Sequence, residues 1–234
     1  MDAARFIIQV LGWAVGIPLE ILVIRALFRN EYRRYPVVFL FLLVSFVITL
    51  TNIPVFTESL VTHDAAAKRL AAKVYWIGEW ALQVLIFATV LSLIDQGIAL
   101  SRRRRIMRLV LAGGAVLFAG ITFWIHYEPP PVSLGVWMSP WTSELSLCAT
   151  VLDLALWMIL IASRKSDRKL LLICGGLGMQ FTTEAIGEQI AAISVPRHSL
   201  PLALLGSVVT VAGYLICLYV WWQAFRSPPP NAAQ

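Results

Sequence analysis

The chain has 234 residues, 59% of them hydrophobic and 14% charged, and its mean hydropathy is +0.78. Soluble domains carry roughly 25% charged residues and about 45–50% apolar ones. The composition therefore excludes a soluble enzyme, a disordered chain and a disulfide-stapled secreted domain, and it places the chain in a membrane. The formal charge of +6, from 19 Lys and Arg against 13 Asp and Glu, is a question of where the charges lie.

A hydrocarbon core roughly 30 Å thick needs about 20 mainly apolar residues per spanning helix. Seven stretches qualify: Phe6–Phe28, Val37–Phe56, Ala71–Leu100, Ile106–His126, Ser143–Ser163, Leu170–Ile193 and Leu200–Phe225. The runs are continuous, whereas barrel strands alternate over about ten residues. The fold class is thus all-α, a polytopic seven-transmembrane-helix protein with a single domain over 1–226. The first segment has no positive leader region or cleavage site and holds Glu20, so it reads as a retained helix rather than a signal peptide, with a bend expected at Gly16 and Pro18. The connection Thr57–Leu70 is expected to hold a short surface helix from near Asp64. The proline-rich connection Tyr127–Trp141 is expected to be extended. Residues 227–234, with three prolines, read as a disordered cytoplasmic tail.

The basic residues fall into two sets on alternate sides of such a topology. Arg25, Arg29, Arg33, Arg34, Arg102, Arg103, Arg104, Arg105, Arg108, Arg164, Lys165, Arg168, Lys169 and Arg226 form one; Arg5, Lys68, Arg69, Lys73 and Arg197 form the other. The positive-inside rule puts the larger set in the cytoplasm, the N-terminus outside and the C-terminus inside. The Arg102–Arg105 run is then a tether at anionic headgroups, and nucleic acid is not an expected partner. Tyr75, Trp76, Trp124, Tyr127, Trp137 and Trp141 read as an outer aromatic belt. Tyr32, Tyr35, Tyr219, Trp221 and Trp222 read as an inner one.

Seven acids lie within the apolar segments: Glu20, Glu79, Asp95, Glu144, Asp153, Glu184 and Glu188. Charges at the bilayer centre cost several kcal/mol and usually mark function or pairing. No Lys or Arg lies deep in any segment. These carboxyl groups are therefore protonated, hydrogen-bonded, water-solvated or matched by a bound cation.

Glu79 lies roughly 12 Å from the outer start of its segment, and Glu184 and Glu188 roughly 14 and 8 Å from the outer end of theirs. Glu79–Gln83 and Gln180–Glu184–Glu188 repeat at i,i+4, so each set makes a polar stripe on one helix face. Glu79, Gln83, Gln180, Glu184 and Glu188 are the expected site for a small ligand or cation, facing one another across an outward-opening pocket. Asp153, Glu20 and Asp95 could mark a proton path. Glu144 reads as a solvated acid at a helix start.

Other chemistries lack support. Cys148, Cys174 and Cys217 have no CxxC spacing and read as packing residues. Gly175, Gly176 and Gly178 read as close-packing positions. His63, His126 and His198 show no zinc-ligand spacing, so no metal is expected. No catalytic triad is apparent, and an enzyme is not supported. Covalent retinal is excluded because the seventh segment has no Lys.

The string Tyr75-Trp76-Ile77-Gly78-Glu79 resembles a YWxxE pattern in a family of bacterial (acidobacterial-type) seven-span membrane proteins of unassigned activity. The resemblance implies a bacterial inner membrane and points again to Glu79. The expected function is a receptor-like sensor that signals to a membrane or cytoplasmic protein partner. A small proton- or cation-coupled transporter and a membrane scaffold or accessory subunit are the alternatives.

Overall fold

A computed structural model describes residues 2–61, 65–97, 104–127, 134–162, 168–197 and 200–226. It is all-helical: α1 is Asp2–Asn30, α2 Pro36–Val61, α3 Ala65–Gly97, α4 Arg104–His126, α5 Leu134–Ala162, α6 Arg168–Arg197 and α7 Leu200–Arg226. Among the described residues, five helices contain stretches long and apolar enough to cross a membrane: Ile7–Arg29, Pro36–Val55, Lys73–Gly97, Arg168–Gly187 and Leu200–Arg226.

Several boundaries lie further out than the apolar segments predict. Residues 65–70 are not a separate surface helix but the first turns of α3, and α2 runs to Val61 through Pro54. The expected extended stretch before Trp141 is also helical from Leu134 onward. Pro140 is the seventh residue of α5, so the helix runs through a proline that supplies the helical φ near −65° but removes one intrahelical hydrogen bond. Glu144 is accordingly the eleventh residue of α5 rather than its start. Pro18 lies inside an α1 that stays helical throughout.

The chain divides into two compact units. Residues 40–152 form one. Within it, Gly78 on α3 lets Ile48 of α2 approach to 3.0 Å from where a β-carbon would stand. Gln83, Ile86, Val90 and Leu93 form a buried row on α3, at the three- and four-residue spacing of one helix face. The Trp141 indole of α5 donates to the Ala119 carbonyl of α4 at 3.3 Å and packs edge-on against Phe123. Trp141 is buried there rather than in an aromatic belt, whereas Trp124 is 83% exposed.

Residues 1–39 and 153–234 form the other unit, with α7 against both α1 and α6. Gly12 meets Val211 and Gly16 meets Leu215, so α1 and α7 run parallel. Gly176 meets Trp221, Thr183 meets Gly213 and Gly187 meets Thr210, so α6 runs antiparallel to α7. Small residues permit this backbone approach, which in lipid replaces the hydrophobic drive for association. Trp221 is fully buried and its indole donates to the Ile173 carbonyl at 3.0 Å. Tyr35 is also fully buried, edge-on to Phe225. These two rings belong to the helix packing and not to a belt.

The helix directions bring Arg29, Lys169 and Arg226 to one end of this unit. Lys169 pairs there with Glu31. The guanidinium groups of Arg34 and Arg226 lie 5.3 and 5.0 Å from the Tyr35 and Trp222 ring centroids.

Candidate functional site

The acids of the apolar segments separate by burial. Glu20 and Asp153 are each 1% exposed, and Gln83 is 4% exposed. Glu79, Asp95, Gln180 and Glu184 are half-buried. Glu188 lies in α6, but its side chain falls outside the described residues, as do His63 and His198.

Glu79 and Gln83 stand one turn apart on α3, with Glu79 at the head of the buried row that continues through Ile86, Val90 and Leu93. Gln180 and Glu184 stand one turn apart on α6. The two stripes belong to different compact units. Because α3 begins at Ala65 and α6 ends at Arg197, Glu79 and Glu184 lie about 21 and 20 Å from those ends at 1.5 Å per residue. Both helices exceed the predicted segments. Asp95 sits two residues from the end of α3, in the last turn, where an acid opposes the helix dipole.

Around Gln180 and Glu184 the polar side chains differ in how they are satisfied. Thr182 and Thr183 donate to carbonyls of their own helix, at 2.7 Å to Gly178 and 2.9 Å to Met179. Such back-bonding consumes the hydroxyl locally. The Gln180 Oε1 is buried and accepts no hydrogen bond among the described residues. Three residues beyond Glu184, a β-carbon on Gly187 would stand 2.2 Å from Thr210 Oγ1 and 2.8 Å from the Gly206 carbonyl oxygen.

The two deepest acids have different surroundings. Glu20 on α1 accepts a hydrogen bond from the Tyr214 hydroxyl of α7. Asp153 on α5 lies against Gly178 of α6, with its Oδ2 3.1 Å from where a β-carbon would stand. Its carboxyl is also within electrostatic reach of Cys174 and Cys217. Asp153 Oδ1 is buried and accepts no hydrogen bond among the described residues. In the other unit, His126 Nε2 of α4 lies 3.5 Å from Glu144 Oε1 of α5, with the Glu144 side chain 43% exposed. Among the described residues, no three His, Cys, Asp or Glu side chains are placed to hold a metal ion together.

Reading the acids alone misses three features: Tyr214 as the partner of Glu20, the Glu31–Lys169 pair, and the Gly187 and Gly213 contacts. Only the last had a signal. Gly206, Thr210, Gly213 and Cys217 recur at four, three and four residues, a stripe of small side chains on one face of α7. In comparisons with protein-family models, curated proteins and solved structures, nothing matches this chain.

Proposed function

We propose that this chain is a seven-span protein of a bacterial inner membrane, with its N-terminus outside and its C-terminus in the cytoplasm. It acts as a receptor-like sensor for a small molecule or cation. The ligand reaches Glu79, Gln83, Gln180, Glu184 and Glu188 from the outer side, and a membrane or cytoplasmic protein partner receives the signal. The YWxxE resemblance around Glu79 and the grouping of basic ends at Arg29, Lys169 and Arg226 support the membrane and orientation assigned.

One observation carries the sensing reading. The stripe Gln180–Glu184 lies on a helix seamed to α7 at Gly176, Thr183 and Gly187 with too little room for another methyl group at Gly187. The same helix is pinned at its far end by Lys169 to Glu31. A ligand that displaces Glu184 thus moves α6 and α7 together and pulls on the turn after α1. Close-packed helices move as bodies rather than deform, so binding at one end is felt at the other.

Thermal-shift measurements on the purified protein against sodium, potassium, magnesium, calcium, choline and spermidine test this reading. At least one probe should raise the midpoint, and Glu79→Gln and Glu184→Gln should each abolish the rise. Stabilisation by none of the probes, or rises unchanged in both variants, would count against it.

Transport is the second reading, favoured by the burial of Glu20 and Asp153 inside one unit; with Asp95 these acids would mark a proton route. Proteoliposomes carrying the protein would then acidify under an imposed potential, and Asp153→Asn would stop them. A bilayer that stays proton-tight removes the proton route.

A further inference from the structure

The exposed face of α1 carries a row that the sensing reading leaves unused. Leu11, Val15, Pro18, Leu22, Arg25 and Arg29 follow at spacings of four and three residues, and each is exposed. Positions so spaced line up along one side of a helix. The row is apolar for its first three turns and basic in its last.

Beside the basic end, Phe28 stacks on Tyr32 at 5.5 Å and meets Phe39 at 6.1 Å. Arg33 Nε donates to the Tyr32 hydroxyl at 3.0 Å, with the guanidinium 5.7 Å from the ring centroid. Among the described residues, no carboxylate pairs with Arg25 or Arg29. Glu31, the acid nearest Arg29 in the sequence, is taken by Lys169, and Glu20, the acid nearest Arg25, accepts from Tyr214.

We infer that this row is a binding site for an anionic phospholipid. The guanidinium groups of Arg25 and Arg29 hold the phosphodiester, and one acyl chain lies along Leu22, Pro18, Val15 and Leu11. Guanidinium forks match phosphate oxygens in a paired geometry that an ammonium does not. Two of them one turn apart, with no counter-ion among the described residues, attract negative headgroups. Tyr32 in the aromatic cluster is an amphipathic ring of the kind that settles at headgroup level. A soluble phosphate would need the arginines alone; the apolar turns that continue their row commit the site to a lipid.

The inference rests on the membrane reading and is independent of the ligand at Glu79 and Glu184. Native mass spectrometry of the protein, with phosphatidylglycerol and phosphatidylcholine of matched acyl chains, tests it. Phosphatidylglycerol should be retained in preference. Arg25→Gln/Arg29→Gln should weaken its binding about 25-fold, at about five-fold per charge removed, and Arg25→Lys/Arg29→Lys should keep much of it. Equal retention of the two lipids by the unaltered protein would overturn the proposal. So would an undiminished preference in the double Gln variant, or competition by glycerol phosphate as effective as that by phosphatidylglycerol. If the double variant does not fold, the unaltered protein and Arg25→Gln alone decide. A chain that enters no bilayer fails the membrane reading, an outcome distinct from a headgroup-indifferent one.

Discussion

A β-carbon added to Gly213 would stand 1.6 Å from Thr183 Oγ1 and 2.5 Å from Thr183 Cβ. The second distance is the decisive one. A hydroxyl can rotate away, but Cβ is fixed to the α6 backbone, so α6 and α7 would have to separate. Gly213→Ala should therefore destabilise the protein by about 1–3 kcal/mol, the usual cost of overpacking. Gly120→Ala is the control, because nothing lies within 4 Å of its added carbon. Reversible unfolding in mixed micelles should separate the two variants; equal midpoints would show that the seam tolerates a methyl group.

Tyr214 and Glu20 join α7 to α1 at a second point, beside the Gly12 and Gly16 approaches. Interhelical hydrogen bonds within membranes contribute about 0.6 kcal/mol on average and roughly 1.7 at most. Glu20 is 1% exposed, so its loss of a donor is not repaired by water. Tyr214→Phe should consequently fall near the upper figure. Glu20→Gln keeps an oxygen to accept from the hydroxyl and should cost less. The same unfolding assay orders the two variants, and a larger loss for Glu20→Gln would show that the carboxyl serves another contact more than this one.

Helix number and type are legible in the sequence because continuous apolar runs of membrane length have few other solutions. The stripe Glu79–Gln83 is legible too, since i,i+4 spacing fixes a face whatever the neighbours are. What the run lengths hide is where helices stop: residues 65–70 and Leu134–Met138 extend α3 and α5 with little or no apolar signal of span length. Aromatic residues near helix ends are equally ambiguous. Trp124 points to the outside while Trp141 is buried, because a ring's depth says nothing about whether lipid or another helix covers it. Partner identity is lost for the same reason. Nothing local to Glu20 names Tyr214, which is 194 residues away; only the packing of α1 on α7 does.

The two sets of basic residues make a direct prediction about sidedness. In a variant whose Cys148, Cys174 and Cys217 are replaced by Ala, a single cysteine at Ser133 should react with a membrane-impermeant maleimide on intact spheroplasts. One at Ser101 should react only after permeabilisation. These positions flank α4 on opposite sides of the proposed topology. Labelling of both from outside would remove α4 as a span, and the reversed pattern would invert the orientation.

Lys169 and Glu31 pair with side chains about one-tenth exposed, so their interaction is not a screened surface contact. Removing one member of a buried pair strands the other charge and costs about 3–5 kcal/mol, whereas replacing both by well-packed hydrophobic residues of similar volume is often neutral. Lys169→Met and Glu31→Met should each destabilise strongly, and the combined variant should recover most of the loss. The coupling in that double-mutant cycle is the quantity to read, since residues in contact deviate from additivity. The pair ties the start of α6 to the turn that follows α1, so it should also bear on signalling. If ligand-induced displacement of α6 is transmitted through this link, the combined variant should bind the stabilising probe as before while its partner response falls. Binding and response that survive together would place the transmission elsewhere in the unit; additive single losses would show that the two charges do not act as a pair.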